Sequence, residues 1–321
     1  MVVSDYSIPV FIEGLKKIYY PDKVVLSDID LTVVEGETIG ILGNNGAGKT
    51  TLLRIISTLL LASNGIIEIF GLNPSLDAFK IKQLIGYLPE RFSFYPYYTV
   101  ADILNFFSML HQQERVDQED LRERVIRLLD IEPFLNVHIK SLSKGMLHKV
   151  GLGVALIHNP PLLILDEPTS GLDPLARIQV RKFLLDLTDD FDKTVLISSH
   201  ILEDVEAVCD RVFILEAGKM LHQPLWISEL KHKFAELRRL EIKAPYLTEI
   251  AKDFIDVDEI LYVNTSARGI ELYGKERYVS NIYKQFKDSI NTDSNIISHL
   301  ISLEDIYFLN HAKIEWMDFL S

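Results

Sequence analysis

The strongest chemical signal in the chain is a glycine-rich loop that ends in lysine and threonine. It fits the pattern G-x-x-x-x-G-K-[ST]. With one further threonine, the candidate nucleotide-binding residues are Gly43, Asn44, Asn45, Gly46, Ala47, Gly48, Lys49, Thr50 and Thr51. Glycines let the backbone curl until several N–H groups point inward and bind phosphate oxygens. Lys49 adds a full positive charge, and the Thr50 hydroxyl can ligate Mg²⁺. The loop therefore predicts a site for nucleotide phosphates.

A second signal is a pair of adjacent carboxylates at the end of an apolar run. Residues 162–165 read L-L-I-L and lead directly into Asp166 and Glu167. Ligands of open α/β sheets lie beyond the carboxyl ends of the strands. Successive strand residues point to opposite faces, so the two carboxylates can have different roles. We expect Asp166 to hold Mg²⁺, directly or through water, and Glu167 to orient and deprotonate an attacking water.

The elements that must position these groups alternate between strands and helices. Short apolar or alternating runs predict strands at residues 28–33, 38–42, 65–70, 83–88, 162–165, 194–198 and 211–215. Helical spacing predicts one helix over 49–60 and a helical stretch over 99–142. This alternation favours an α/β layer fold with a largely parallel sheet.

The character of the chain changes after Gly218, where phosphate and metal motifs end. The pattern then predicts strands at 237–243, 257–263, 269–273 and 294–299, with helices at 247–254 and 277–287. That order, βαββαβ, is the ferredoxin-like pattern. Ser302 and Asp305 are spaced as a helix cap. A length of 321 residues fits about two domains.

The composition argues against several classes of protein. A net charge of −13 disfavours binding to nucleic acid, which needs clustered positive charge. The single cysteine, Cys209, cannot form an internal disulfide, which fits a reducing, cytosolic compartment. We expect it to be a small packed side chain of a helical segment rather than a reactive thiol. We find no signal-peptide pattern and no apolar run near the ~18 residues of a membrane span, so a membrane role requires a partner.

Together these motifs resemble the nucleotide-binding domains of ATP-binding-cassette (ABC) transporters, over about residues 8–220. The resemblance rests on three further features beside the phosphate loop. They are Leu142-Ser143-Lys144-Gly145-Met146, which resembles the LSGGQ signature, Ser170-Gly171-Leu172-Asp173, which looks like the D-loop, and His200, which matches the switch histidine near the γ-phosphate.

The resemblance implies a P-loop NTPase core with an antiparallel β subdomain and a helical insert. It places the ABC ATP-binding domain at 8–225, with a helical subdomain at about 95–158, and leaves an α+β accessory domain at 226–321. It also implies that Ser143 and Gly145 of one copy close over the γ-phosphate held by a second copy, with Asp173 along the seam. Tyr19 matches the aromatic that stacks on adenine, although the neighbouring Tyr20 could replace it. Lys49, Glu167 and His200 are the expected catalytic residues.

The sequence departs from the commonest family pattern at three positions. Glu90 stands where glutamine is usual, Lys144 where glycine is usual, and Met146 where glutamine is usual. A carboxylate at Glu90 can still bind Mg²⁺ as a hard oxygen ligand. These residue types are familiar in ABC-2-like exporter ATPases, and residues 302–307 resemble the S-L-E-D-x-F segment that ends many of those subunits. The resemblance therefore favours export.

The expected function is ATP hydrolysis, with ATP and Mg²⁺, that powers an integral membrane permease. The chain would be cytoplasmic and peripheral on the inner face of the membrane, would dimerise with a second copy, and would not bind nucleic acid. An aromatic cluster is either the permease-docking surface or the packed root of the helical insert, and consists of Phe92, Phe94, Tyr95, Tyr97 and Tyr98.

Two other functions agree less well with the sequence. A soluble ABC ATPase acting on ribosomes or DNA is disfavoured by the single cassette and by the absence of a sustained heptad run between Lys49 and Leu142. A nucleotide-binding regulator that barely hydrolyses is disfavoured by the intact Glu167 and His200. The C-terminal domain could stabilise a dimer, or it could sense cargo or gate activity.

Overall fold

The computed structural model describes residues 8–110, 115–189, 193–221, 223–243, 260–266, 269–289, 295–301 and 305. The chain divides into two compact units, Met1–Ile227 and Ser228–Ser321. The phosphate loop, the acidic pair and the other candidate site residues all belong to the first unit.

The first unit alternates strands and helices along most of its length. Its strands are β1 (Val10–Tyr19), β2 (Lys23–Val33), β3 (Thr38–Leu42), β4 (Asn64–Ile69), β5 (Ile85–Leu88), β6 (Leu162–Asp166), β7 (Thr194–Ser199), β8 (Arg211–Glu216), β9 (Lys219–Met220) and β10 (Leu225–Trp226). Its helices are α1 (Lys49–Ile56), α2 (Ala78–Leu84), α3 (Val100–Leu110), α4 (Arg115–Leu128), α5 (Lys144–Leu156), α6 (Pro174–Asp189) and α7 (Leu202–Val208). Helix α8 (Ile227–Phe234) spans the boundary between the units.

The central sheet runs in the order β10-β8-β3-β7-β6-β5, with β9 beside β8. The pairs β8–β3, β3–β7, β7–β6 and β6–β5 are parallel, as predicted. Every residue of β3, β6 and β7 is buried, which explains why the central residues of each strand form a short apolar run. The carboxyl ends of neighbouring parallel strands lie at one edge of a sheet. Four such ends carry candidate site residues: the phosphate loop follows β3, Glu90 follows β5, Asp166 ends β6 and His200 follows β7.

A separate antiparallel sheet, in the order β2-β1-β4, forms the expected β subdomain. The polar–apolar alternation predicted a strand only from residue 28, whereas β2 begins at Lys23. Asp28 has a φ of 58° and lies where the register against β1 shifts, so the alternation is interrupted there by a bulge. Buried side chains of β1, β2 and α1 belong to one core that also reaches β3 and β6.

Two predicted boundaries are wrong for local reasons. The helix predicted over 49–60 ends at Ile56, because Ser57 caps it and Thr58 adopts a φ of 60°. The strand predicted over 83–88 begins only at Ile85, where its pairing with β6 starts, and α2 continues to Leu84. The stretch predicted as helical contains α3, α4 and two short 3₁₀ turns, Glu132–Phe134 and Ile139–Ser141, before α5.

The described part of the second unit is an antiparallel sheet with one helix. Its elements are β11 (Leu237–Lys243), β12 (Ile260–Ser266), β13 (Gly269–Lys275), α9 (Glu276–Ser289) and β14 (Asn295–Leu300). The strand order β12-β13-β11-β14 is that of a ferredoxin-like sheet, and α9 packs Val279 and Ile282 into its core. The predicted helix at 247–254 and the predicted cap at Ser302 lie outside the described residues. No helix in the described ranges has the length and apolar character needed to cross a membrane.

Candidate functional site

The phosphate loop connects β3 to α1, and its glycines are required by close packing. A Cβ atom at Gly43 would lie 2.3 Å from the Leu215 carbonyl oxygen. Gly48 has a φ of 111° and directly precedes α1, and a Cβ there would lie 2.7 Å from Leu26 Cδ2. Only glycine therefore fits both positions, and the loop leads straight into a helix N-terminus, where anions are favoured.

Lys49 joins the loop to the acidic pair. Its buried Nζ donates hydrogen bonds to the Gly43 carbonyl at 2.6 Å and to the Asn44 carbonyl at 3.3 Å. The same ammonium lies 3.0 Å from Glu167 Oε1. The two residues that the sequence assigned to phosphate binding and to base catalysis are therefore in direct contact.

Asp166 is held by two hydroxyl groups and keeps one oxygen without a partner. Its Oδ1 accepts hydrogen bonds from Thr50 Oγ1 at 3.2 Å and from Ser198 Oγ at 2.7 Å. Its buried Oδ2 has no hydrogen-bond partner among the described residues. Burial raises the pKa of Asp166, the hydrogen bonds from Ser198 and Thr50 oppose that shift, and the nearby Glu167 and Glu90 charges add to it. A buried carboxylate oxygen without a hydrogen bond is well suited to coordinate a cation.

Glu167 lies outside strand β6. The prediction that Asp166 and Glu167 point to opposite faces as successive strand residues is therefore wrong. The strand ends at Asp166, and Glu167 follows in the left-handed region with a φ of 52°. Its backbone N–H donates to Ser198 Oγ at 2.9 Å, and its Oε2 lies 2.7 Å from His200 Nδ1. The two carboxylates differ because the backbone turns between them. A non-glycine residue in this conformation is unfavourable and has to be held by its surroundings.

Most of the predicted nucleotide-binding residues line one open cavity. Its volume of about 820 Å³ is typical of ligand sites. Predicted residues that line it are Tyr19, Asn44, Asn45, Gly46, Gly48, Lys49, Thr50, Thr51, Glu90 and Glu167. The lining also includes residues that sequence reasoning missed, which are Lys23, Val24, Val25, Arg91 and Ala217. Tyr20 is 97% exposed and is not part of this lining, whereas Tyr19 is, and the stacking of Tyr19 on adenine stays a prediction.

The signature and D-loop residues lie elsewhere on the unit. Ser143, Gly145 and Asp173 line a second groove, formed largely by α5 and α6. Ser143 Oγ caps α5 by accepting a hydrogen bond from the Met146 N–H at 3.2 Å. Asp173 caps α6 in the same way, through the Ala176 N–H at 2.9 Å. Within one chain these three residues do not line the cavity of the phosphate loop, and their role on a second copy's nucleotide stays a prediction.

The aromatic cluster after Glu90 divides into a packed and an exposed part. Phe92 and Phe94 are half-buried, and their ring centroids lie 5.6 Å apart. Phe94 also contacts Phe107 of α3, with centroids 6.0 Å apart. Three tyrosines are exposed, which are Tyr95, Tyr97 and Tyr98. Each of the two alternatives therefore describes part of the cluster: the two phenylalanines pack against each other and against the helical insert, and the three tyrosines are exposed.

Two side chains, one bonded to the acidic pair and one packed against Phe92, have no recognisable sequence signal. Ser198 bonds both Asp166 and the N–H of Glu167, yet a serine near a strand end has no diagnostic spacing. His148 of α5 is buried 5.8 Å from the Phe92 ring, measured between centroids. Burial lowers the pKa of His148 to about 4, so this imidazole is neutral at physiological pH.

Cys209 is buried as expected, and burial raises the pKa of its thiol.

Comparison with known proteins identifies the family. The family described as ABC transporter matches residues 26–170. An ABC transporter ATP-binding protein of Methanocaldococcus jannaschii is 38% identical over 230 residues, which cover 72% of this chain and 82% of that protein. A similar protein of Synechocystis sp. is 41% identical over 61% of this chain, but the match spans only 55% of its own length.

Two further matches concern a resistance protein and a solved structure. The linearmycin resistance ATP-binding protein LnrL of Bacillus subtilis is 33% identical, over 65% of this chain and 67% of its own. The dimeric structure of a bacterial ABC transporter cassette has a TM-score of 0.61 at 23% identity, covering 68% of this chain and 98% of that one, which supports the fold. The chain belongs to the ATP-binding proteins of ABC transporters and is an ATPase.

Proposed function

We propose that two copies of this chain enclose ATP and use its hydrolysis to power export through a separate membrane permease. The observation that carries the proposal is that Glu167 contacts both Lys49 and His200, and that Glu167 and Lys49 line the cavity of the phosphate loop. It combines a phosphate-binding cation, a carboxylate base and a histidine that orients the base.

The residues present fit ATP and its magnesium ion. The cavity combines the glycine loop, the Lys49 ammonium and the aromatic ring of Tyr19. The Thr50 hydroxyl and Asp166 Oδ2, which has no hydrogen-bond partner in the described part of the chain, are hard oxygen ligands, and Glu90 lines the same cavity as Thr50. Mg²⁺ held by these groups would offset the negative charge of the phosphates.

In the proposed reaction, Glu167 accepts a proton from the attacking water. His200 holds the carboxylate through Oε2, and the Lys49 ammonium, 3.0 Å from Oε1, binds phosphate oxygens. Phosphoryl transfer depends mainly on such positioning and electrostatics. Ser143, Gly145 and Asp173 of a second copy complete the site, a proposal supported by the dimeric assembly of the related cassette.

Export through a permease is supported by sequence and surface features together. Lys144, Met146 and Glu90 match the residue types of ABC-2-like exporters, and one relative is named for resistance to linearmycin. The exposed tyrosine cluster, Tyr95, Tyr97 and Tyr98, follows Glu90 and offers an aromatic surface of the kind that protein interfaces use. The chain would then be cytoplasmic and held at the membrane by the permease.

Affinity capture from solubilised host membranes tests this proposal. Tagged Glu167→Gln, held with Mg-ATP, should bring down a polytopic membrane protein that mass spectrometry identifies. Replacing the tyrosine cluster by serine should abolish that capture and leave ATPase activity intact, because the cluster lies outside the cavity lining. The control is Tyr20→Ser, which changes a tyrosine that is 97% exposed, directly follows β1 and does not line the cavity. Recovery of ribosomal proteins or DNA, with no membrane protein, would contradict the transport function.

A further inference from the structure

A buried carboxylate outside the cavity contacts several segments that carry site residues. Asp204 lies on α7, about one helical turn after His200, and is only 4% exposed. Its Oδ2 accepts a hydrogen bond from Thr169 Oγ1, and its Oδ1 accepts one from Arg181 Nε at 2.6 Å. Arg177 Nε lies 3.8 Å from the same Oδ1. Both carboxylate oxygens of Asp204 therefore accept hydrogen bonds.

The partners of Asp204 belong to two other parts of the proposed machinery. Thr169 lies in the turn that begins at Glu167. Arg177 and Arg181 lie on α6, which starts directly after Asp173 of the D-loop motif. Asp204 itself lies on the helix that follows His200. The Asp204 side chain therefore connects three segments. They are the turn that begins at Glu167, helix α6 after the D-loop motif and helix α7 after His200.

Burial of a carboxylate is costly, and a buried ion pair is weak evidence for stability, since apolar replacements are often neutral or better. Geometry gives a more specific reason for this network. Glu167 has a φ of 52°, a conformation that persists only where the surroundings hold it. Its 2.7 Å contact with His200 requires the turn and α7 to keep a fixed separation. The bond between Thr169 and Asp204 spans those same two segments.

We propose that Asp204 is a positioning residue for ATP hydrolysis, which holds Glu167 against His200 and links both to the position of α6. The inference rests on the proposed roles of Glu167 and His200. Because α6 follows the D-loop motif, a movement of that motif would reach the base through Arg181, Asp204 and Thr169. Asp204 touches neither phosphate loop nor cavity lining in the described residues, so its effect should appear in turnover and not in nucleotide affinity.

Steady-state kinetics of Thr169→Val and Asp204→Ala test the inference, with nucleotide affinity measured by a fluorescent ATP analogue. We expect kcat to fall about 10- to 10²-fold in each variant, as misplacement of a catalytic group predicts, with affinity unchanged within about twofold. Thr169→Val leaves the carboxylate paired with both arginines, so this variant should fold even if Asp204→Ala does not. Asp204→Glu should recover part of kcat. The double variant should lose no more than Asp204→Ala alone, because the two changes break one interaction.

The matched control is Glu203→Gln, which changes a 75% exposed carboxylate that pairs with the same Arg181 at 3.5 Å and should keep wild-type kcat. Wild-type kcat in folded Thr169→Val, or a loss matched by weaker nucleotide binding, would overturn the inference. Glu167→Gln is measured in parallel. If it keeps full turnover, the proposed function itself fails. If it loses turnover while Thr169→Val and Asp204→Ala do not, only the positioning role fails.

Discussion

Glu167→Gln is expected to lower kcat for ATP hydrolysis by about 10²–10⁴-fold, the usual contribution of a positioned general base. An amide matches the carboxylate in shape but cannot accept the proton of the attacking water. It also removes the negative charge that lies 3.0 Å from Lys49 Nζ, which leaves this ammonium more available to phosphate oxygens. ATP affinity should therefore be retained or increased.

Single-turnover hydrolysis and equilibrium ATP binding separate these two effects. Glu68→Gln is the control, since it removes an exposed carboxylate on the antiparallel sheet and should leave both quantities unchanged. If Glu167→Gln loses ATP affinity as much as turnover, Glu167 is not the base. A variant with wild-type turnover would lead to the same conclusion.

Lys49→Ala is expected to damage nucleotide binding and turnover together. Its ammonium is the buried cation within the glycine loop, hydrogen-bonded to two loop carbonyls and paired with Glu167. Removing one preorganised electrostatic donor typically costs about 10²–10³ in kcat, and we expect affinity to fall at least about tenfold as well. The substitution also leaves the buried Glu167 carboxylate without its cation, so the variant should unfold at a lower temperature.

Calorimetric ATP binding, steady-state kinetics and circular dichroism together measure these effects of Lys49→Ala. Lys80→Ala removes an exposed surface lysine on α2 and should change none of them. Full activity of folded Lys49→Ala would show that the glycine loop does not bind the phosphates.

Much of the fold could be predicted because the relevant signals are local. Buried parallel strands such as β3 and β6 are uninterrupted apolar runs, and the glycine loop has a fixed pattern that its packing explains. The βαββαβ order of the second unit likewise predicted a strand order that the described sheet has. Boundaries such as the end of α1 were less predictable, because they depend on single residues like Thr58 in unusual conformations.

The parts of the site that could not be predicted depend on contacts between distant residues. Asp204 is an acidic residue on a short helix, a pattern that normally indicates a solvated face, yet its partners Thr169 and Arg181 bury it. The packing of Phe92 against the buried His148 likewise depends on how the loop after β5 packs on α5. Sequence spacing has no information on either contact.

Light scattering of Glu167→Gln with and without Mg-ATP tests most directly the central claim that ATP is hydrolysed between two copies of this chain. We predict that the measured particle mass is twice that of one chain with Mg-ATP. Without Mg-ATP, or with ADP in its place, the measured mass should be that of one chain. Ser143→Arg should stay monomeric while it still binds ATP, because Ser143 lies in the groove away from the phosphate loop. A protein that remains monomeric with ATP bound, while its wild-type form hydrolyses ATP, would contradict the two-copy site.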